Sequence, residues 1–205
     1  MLGNVNGSDF TTRPYQQELF EKVCKKNMII YLPTGSGKTY IAIKLIKELS
    51  SAIEKPLDQG GKRTVFLANT VPLVVQQAEF LRMHCAHNVA DYYGDRVINN
   101  RKLDYWDKEI WEKELRENQI LVVIPQLLVD MIQHTFLRLE QINLLIFDEC
   151  HHATGNHPYS QLLRLYQNQN HSNIRLLGLT ASIVVKKCNL AEFKKEYRKI
   201  EDKFG

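Results

Sequence analysis

The stretch Leu32-Pro33-Thr34-Gly35-Ser36-Gly37-Lys38-Thr39 constrains this chain more than any other. Met28-Ile29-Ile30-Tyr31 precedes it, a short apolar run of the kind that forms a buried strand. Tyr40 to Leu49 follows, apolar at helical spacing. Strand, glycine loop and helix together are the context that a phosphate-binding loop requires. Gly35 and Gly37 let the backbone approach phosphate oxygens and adopt positive φ. The backbone N–H groups of the loop and the helix N-terminus then favour a polyanion. Lys38 can reach the β- and γ-phosphates and Thr39 can ligate Mg²⁺. The full G-x-x-x-x-G-K-[ST] pattern wants glycine at position 32, where Leu32 stands, and that departure weakens a GTPase-like reading.

A second apolar run, Asn143 to Phe147, ends in Asp148-Glu149-Cys150-His151. Ligands of open α/β sheets bind at the carboxyl edge of the strands. An acidic residue closing such a strand is how a carboxylate is presented to Mg²⁺, and Glu149 beside it can orient or deprotonate an attacking water. Lys38 and Asp148 are 110 residues apart, so intervening strand–helix units must return the chain to the same edge. A zinc reading of Cys150, His151, His152 and His157 fits poorly: the spacing matches no zinc pattern, and adjacent Cys-His-His cannot all face one ion.

The remaining strands are read at 64–68, 89–93, 120–124 and 174–179, with helices at 13–24, 71–85, 125–131 and 158–167. Strands alternating with helices predict an α/β fold, a mainly parallel sheet of six or seven strands covered on both faces. Residues 52–62, with one proline and two glycines, read as an exposed loop. The charged stretch 94–118 reads as a solvated helix around Trp106–Leu115, anchored by Trp106 and Trp111. Residues 1–12 form a flexible N-terminal tail, 13–185 one lobe, and 186–205 an amphipathic helix with Leu190, Phe193, Tyr197, Ile200 and Phe204 on its seam. That seam either packs on its own lobe or meets further protein.

At 205 residues and 44% hydrophobic, the chain can bury a real core. A net charge of +4 permits a nucleic-acid partner without demanding one. Four dispersed cysteines without a C-x-x-C pair, no signal peptide and no apolar run of membrane length point to the cytoplasm and away from the membrane.

In this order, the glycine loop, Asp148-Glu149-Cys150-His151 and Leu179-Thr180-Ala181-Ser182 resemble motifs I, II and III of superfamily-two helicases. Arg13-Pro14-Tyr15-Gln16 is similar to that family's Q motif, Ala68 to Gln77 to motif Ia, and Pro125-Gln126-Leu127-Leu128 to a later RNA-contacting motif. The D-E-C-H spelling followed by His152 points to the group holding Dicer and the cytoplasmic double-stranded-RNA sensors. Tyr31 to Thr39, Gly60-Gly61-Lys62-Arg63, Gln76-Gln77-Ala78 and Cys150 to Pro158 resemble Dicers, most of all invertebrate ones of the antiviral, small-interfering-RNA branch.

The resemblance implies a RecA-like first lobe of a P-loop NTPase using ATP and Mg²⁺. It implies that Gln16 reads adenine, that Thr39 and Asp148 hold Mg²⁺, that Glu149 is the base, and that His151, Thr180 and Ser182 couple nucleotide to RNA. Asn69, Thr70 and Gln126 would touch the RNA backbone. The implied partners are double-stranded RNA, a second helicase lobe and ribonuclease III domains of the same protein, and a double-stranded-RNA-binding protein. Two other readings stay open: a non-catalytic scaffold lobe for that partner protein, and a DNA-repair helicase, against which Cys150 and His152 count.

Overall fold

A computed structural model describes residues 12–94, 97–98, 101–102, 107–168, 173–181 and 198–204. Trp106, Ser182, Leu190, Phe193 and Tyr197 therefore lie outside the described residues, as do residues 1–11 of the N-terminal tail. The chain runs α1 (Pro14–Val23), β1 (Met28–Tyr31), α2 (Lys38–Glu48), β2 (Arg63–Leu67), α3 (Val71–His84) and β3 (Val89–Tyr92). It continues through β4 (Val97–Ile98), β5 (Arg101–Lys102), α4 (Lys108–Glu117), β6 (Ile120–Val123), α5 (Pro125–Gln133), β7 (Ile142–Asp148), α6 (Pro158–Asn168) and β8 (Arg175–Thr180).

Six strands form one parallel sheet in the order β1-β8-β7-β2-β6-β3. The short β4 and β5 pair antiparallel in a separate two-stranded ribbon within the charged stretch. Successive side chains of a strand point to opposite faces, and the core divides accordingly. Val65, Leu67, Leu121, Val123, Leu145 and Phe147 pack one way with α4, α5 and α6. Ile30, Phe66, Val122, Leu144, Ile146 and Leu177 pack the other way with α1, α2 and α3. All seven residues of β7 are buried, as expected of a strand covered on both faces.

Trp111 anchors the charged helix: it is 1% exposed, with its ring 5.1 Å from Tyr92 and 6.2 Å from Phe136. That helix begins at Lys108, where the Asp107 carboxylate caps it by accepting from the N–H groups of Glu109 and Ile110.

The expected exposed loop at 52–62 is a partly internal segment. Ile53 is fully buried, and the Arg63 guanidinium, also fully buried, donates to Lys62 O, Lys55 O and Leu115 O. A buried cation needs acceptors, and the carbonyls of this loop and of α4 supply them. Residues 198–204 are helical, and Ile200 and Phe204 are buried in this chain's own core, Phe204 edge-on to Phe147 at 5.2 Å.

Candidate nucleotide-binding site

β1 stops at Tyr31 because the loop must turn toward α2. Gly35 (φ 77°) and Gly37 (φ 85°) take the left-handed conformations that the turn requires. A Cβ on Gly37 would also meet Gln16 Nε2, so a side chain there would push the Gln16 amide from its bond to Ser36 O. The loop is fixed from both sides. Leu32 N donates to Thr180 O at 3.1 Å, tying its start to the end of β8. Tyr15 Oη and Gln16 Nε2 both donate to Ser36 O, at 2.7 and 3.0 Å, tying its middle to α1.

Gln16 is 6% exposed, and its Oε1 accepts from Arg13 N at 3.0 Å. Its amide thus holds α1 against the phosphate loop, a positioning role in addition to the adenine contact that the sequence resemblance implies. Lys38 Nζ turns back on the loop and donates to Leu32 O at 2.8 Å and Pro33 O at 3.3 Å.

The second half of the site stands at the ends of β7 and β8, with Asp148 opposite Leu179. Asp148 Oδ1 accepts from Glu149 N at 3.1 Å and Oδ2 from Gln77 Nε2 at 3.4 Å. Burial pushes the Asp148 carboxyl up to about 6. The neighbouring Glu149 charge adds to the rise, while the Glu149 N–H and Lys38 oppose it.

Glu149 sits at φ 49°, ψ 51°, a left-handed backbone uncommon outside glycine. That turn sends its side chain toward β8, where Oε2 accepts from Thr180 Oγ1 at 3.2 Å and Ala181 N at 3.3 Å. His151 Nδ1 lies 2.9 Å from the same Thr180 hydroxyl and 3.2 Å from Glu149 Oε2. Burial, then His152, lowers the His151 pKa against the pull of Glu149, so the ring is neutral near pH 7. The threonine proton goes to the carboxylate, so the neutral imidazole carries its proton on Nδ1 and donates into the same cluster.

Lys38, Thr39, Asp148 and Glu149 all line one cleft of about 730 Å³, together with Gln16 and residues 34–37 of the loop. The donor set fits a divalent cation. Two adjacent carboxylates, Asp148 held above its ordinary range by burial and by Glu149, line the same cleft as Lys38 and the Thr39 hydroxyl.

A profile of the family described as "Type III restriction enzyme, res subunit" matches residues 9–184. The chain belongs to that family. Within it, the chain is 40% identical over 197 residues to "Endoribonuclease Dicer" of Gallus gallus, covering 96% of this chain and 10% of that protein. It is 42% identical over 195 residues to "Endoribonuclease Dicer homolog 2" of Arabidopsis thaliana, covering 92% and 14%. It is 39% identical over 196 residues to "Endoribonuclease dcr-1" of Caenorhabditis elegans, covering 94% and 10%. The chain therefore spans only about a tenth to a seventh of the curated relatives it matches. Among solved structures, the "Pyrococcus furiosus Hef helicase domain" superposes with a TM-score of 0.73 at 27% identity, covering 94% of this chain and 36% of that one. The fold is a RecA-like helicase lobe, similar in sequence to part of Dicer.

Elsewhere in this res-subunit lobe, the structure separates the predicted RNA-facing residues. Thr70 is exposed at the N-terminus of α3. Gln126 is exposed on α5 and donates to Asp130 at 2.8 Å. Asn69 differs: its amide N and O are both buried, so it presents neither to solvent. His151 and His152 meet at a tilt, 4.1 Å between rings; His152 stacks on His157 at 5.7 Å, and His157 meets Tyr159 at 4.8 Å. Among the described residues, no group of three or more His, Cys, Asp or Glu side chains is disposed to hold a metal, and no helix is long and apolar enough to cross a membrane.

Sequence reasoning placed Gln77 in the stretch similar to motif Ia without its contact to Asp148, and it passed over Tyr159. Gln77 touches Asp148 from α3, and Tyr159, fully buried, donates to the Asp148 carbonyl at 2.7 Å. A glutamine on a helix and a tyrosine after His-Pro carry no local signature of such contacts.

Proposed function

We propose that this lobe binds and hydrolyses ATP as the first half of an RNA-dependent helicase-type ATPase within a Dicer-like endoribonuclease. The observation that carries the reading is the convergence of Lys38 and Thr39 with Asp148 and Glu149 on one cleft, from opposite ends of the sequence. In the binding step, Lys38 leaves the carbonyls of Leu32 and Pro33 and turns to the phosphates, while the N–H groups of residues 34–39 and the α2 N-terminus surround them. Thr39 and Asp148 would hold Mg²⁺, which would supply positive charge against the phosphates. Glu149, fixed by Thr180 and Ala181, accepts the proton of the attacking water. His151 and Thr180 carry the state of that carboxylate to β8, and Ser182 follows in the sequence.

The same reading takes double-stranded RNA as the stimulating partner, with Thr70 and Gln126 as its exposed contacts and a second lobe closing the cleft. The similarity to Dicers supports this assignment, and the D-E-C-H spelling with His152 favours RNA over DNA. Placement in the antiviral small-interfering-RNA branch rests on the residue matches at Tyr31 to Thr39, Gly60 to Arg63, Gln76 to Ala78 and Cys150 to Pro158, and work in the cytoplasm on the four dispersed cysteines. The test is ATP turnover of the full-length protein with double-stranded RNA and with double-stranded DNA of equal length. Stimulation by RNA alone is expected. Equal stimulation by DNA overturns the RNA assignment, and absence of any turnover favours a scaffold lobe.

A further inference from the structure

Asp148 is held at both of its ends by residues outside the phosphate loop and the Asp-Glu-Cys-His run. Its carbonyl accepts from Tyr159 Oη at 2.7 Å, and its carboxylate from Gln77 Nε2 at 3.4 Å. Both attachments lead to the same piece of chain. Tyr159 Oη also lies 3.2 Å from Leu67 O, the last carbonyl of β2. A phenol has one proton to give, so the hydroxyl is shared between the end of β2 and the end of β7, with the shorter bond to Asp148. The register sets Leu67 beside Phe147, so these two strand ends are immediate neighbours. Leu67 leads through Ala68, Asn69 and Thr70 into α3, and Gln77 lies in the second turn of that helix.

The segment between these two attachments holds a buried polar side chain. Both amide atoms of Asn69 are buried, and the side chain lies within reach of the Tyr159 hydroxyl. Tyr159 is itself fixed, with its ring edge-on to Phe147 at 5.1 Å and fully buried.

We propose that Tyr159 and Gln77 are positioning residues that tie Asp148 to the Leu67–Gln77 segment, so that a nucleic-acid strand engaging Thr70 and the start of α3 resets Asp148. The link is independent of Thr180 and His151, which act on Glu149 from β8. It rests on the reading of Asp148 as a Mg²⁺ ligand and of Thr70 as an RNA contact. Displacement at one site shifts the other only through an element that both bias, and here that element is the 68–70 loop, held between the Tyr159 bond to Leu67 O and the Gln77 bond to Asp148.

The experiment uses the full-length protein with Tyr159→Phe, Gln77→Ala, the double variant, and Asp148→Asn as reference. ATP turnover with and without double-stranded RNA, KM for ATP, the Mg²⁺ concentration giving half-maximal nucleotide binding, and thermal unfolding are measured on each. Each single variant is expected to lower the ratio of RNA-stimulated to basal turnover by roughly five-fold or more and to raise the Mg²⁺ requirement, with KM for ATP unchanged. The double variant should lose less than the product of the singles, because both act through Asp148. A stimulation ratio and Mg²⁺ requirement equal to wild type in both singles overturns the proposal, as does a lowered unfolding temperature with an unchanged ratio. If Tyr159→Phe does not fold, Gln77→Ala, at a half-buried helix position, decides the question alone. Asp148→Asn separates the two levels: if it retains Mg²⁺-dependent nucleotide binding, the metal-ligand reading itself fails, whatever the other variants do.

Discussion

Thr180 Oγ1 donates to Glu149 Oε2 across 3.2 Å, joining the last residue of β8 to the residue that follows β7. The bond aims the carboxylate, and removing it leaves the carboxylate in place but loose. Thr180→Ala should therefore lower kcat by about ten-fold, the scale of a misplaced general base, with KM for ATP little changed. Glu149→Gln keeps an acceptor for Thr180 and Ala181 but loses the base, so ATP and Mg²⁺ should bind while steady-state hydrolysis disappears. Loss of ATP binding in Glu149→Gln, measured by fluorescent-nucleotide titration, contradicts this role.

Lys38→Ala removes the one loop lysine that can meet the phosphates. Its bonds to Leu32 O and Pro33 O lie at or near the surface, so the unfolding free energy should fall by no more than about 1 kcal/mol, while ATP hydrolysis is abolished. Normal turnover in a normally folded variant refutes the assignment.

Asp148 predicts a pH effect on stability. Its pKa rises from 3.8 to about 6 on folding, so the ionised form favours the unfolded chain. The penalty is absent below pH 3.8, grows between 3.8 and 6, and is complete above, on the order of 3 kcal/mol. Asp148→Asn should raise the Tm of the metal-free 205-residue chain at pH 7 and leave it unchanged near pH 3. A lower Tm at pH 7 contradicts the burial argument.

The 205 residues alone should hydrolyse ATP poorly even with RNA. A transition-state arginine contributes on the order of 10³–10⁵ in turnover, and in the resembled helicases it arrives from the second lobe. The described arginine lining this cleft is Arg13, whose Nη1 donates to Tyr15 Oη at 3.2 Å. Phosphate release from residues 1–205 at a rate matching the full-length protein contradicts a shared active site.

The glycine loop and the Asp148-Glu149 pair were legible because each is a local pattern: an apolar run, then the residues that chemistry needs at a strand end. The six strands were legible for the same reason. Strand order was not, since nothing between Tyr31 and Arg175 announces that β8 inserts beside β1. Ile53 and Arg63 were misjudged or passed over because prolines and glycines mark a turn without saying which side chains it folds inward. The contacts of Gln77 with Asp148 and of Tyr159 with Leu67 were missed because they span 71 and 92 residues, and that of Tyr159 with Asp148, 11 residues on, because the intervening loop has no periodic pattern to place it.

The placement of β8 between β1 and β7 has a temporal consequence. During synthesis from the amino end, the phosphate loop emerges early and the acidic pair much later. β7 can pair with β2 once it is made, but the loop and the acidic pair cannot be joined through the sheet until residues 175–180 have left the ribosome to fill the gap between β1 and β7. Nucleotide cannot serve as a folding template for the nascent chain, and partly made lobes hold exposed strand edges where β8 will go. Those edges are where a stalled or truncated product would aggregate.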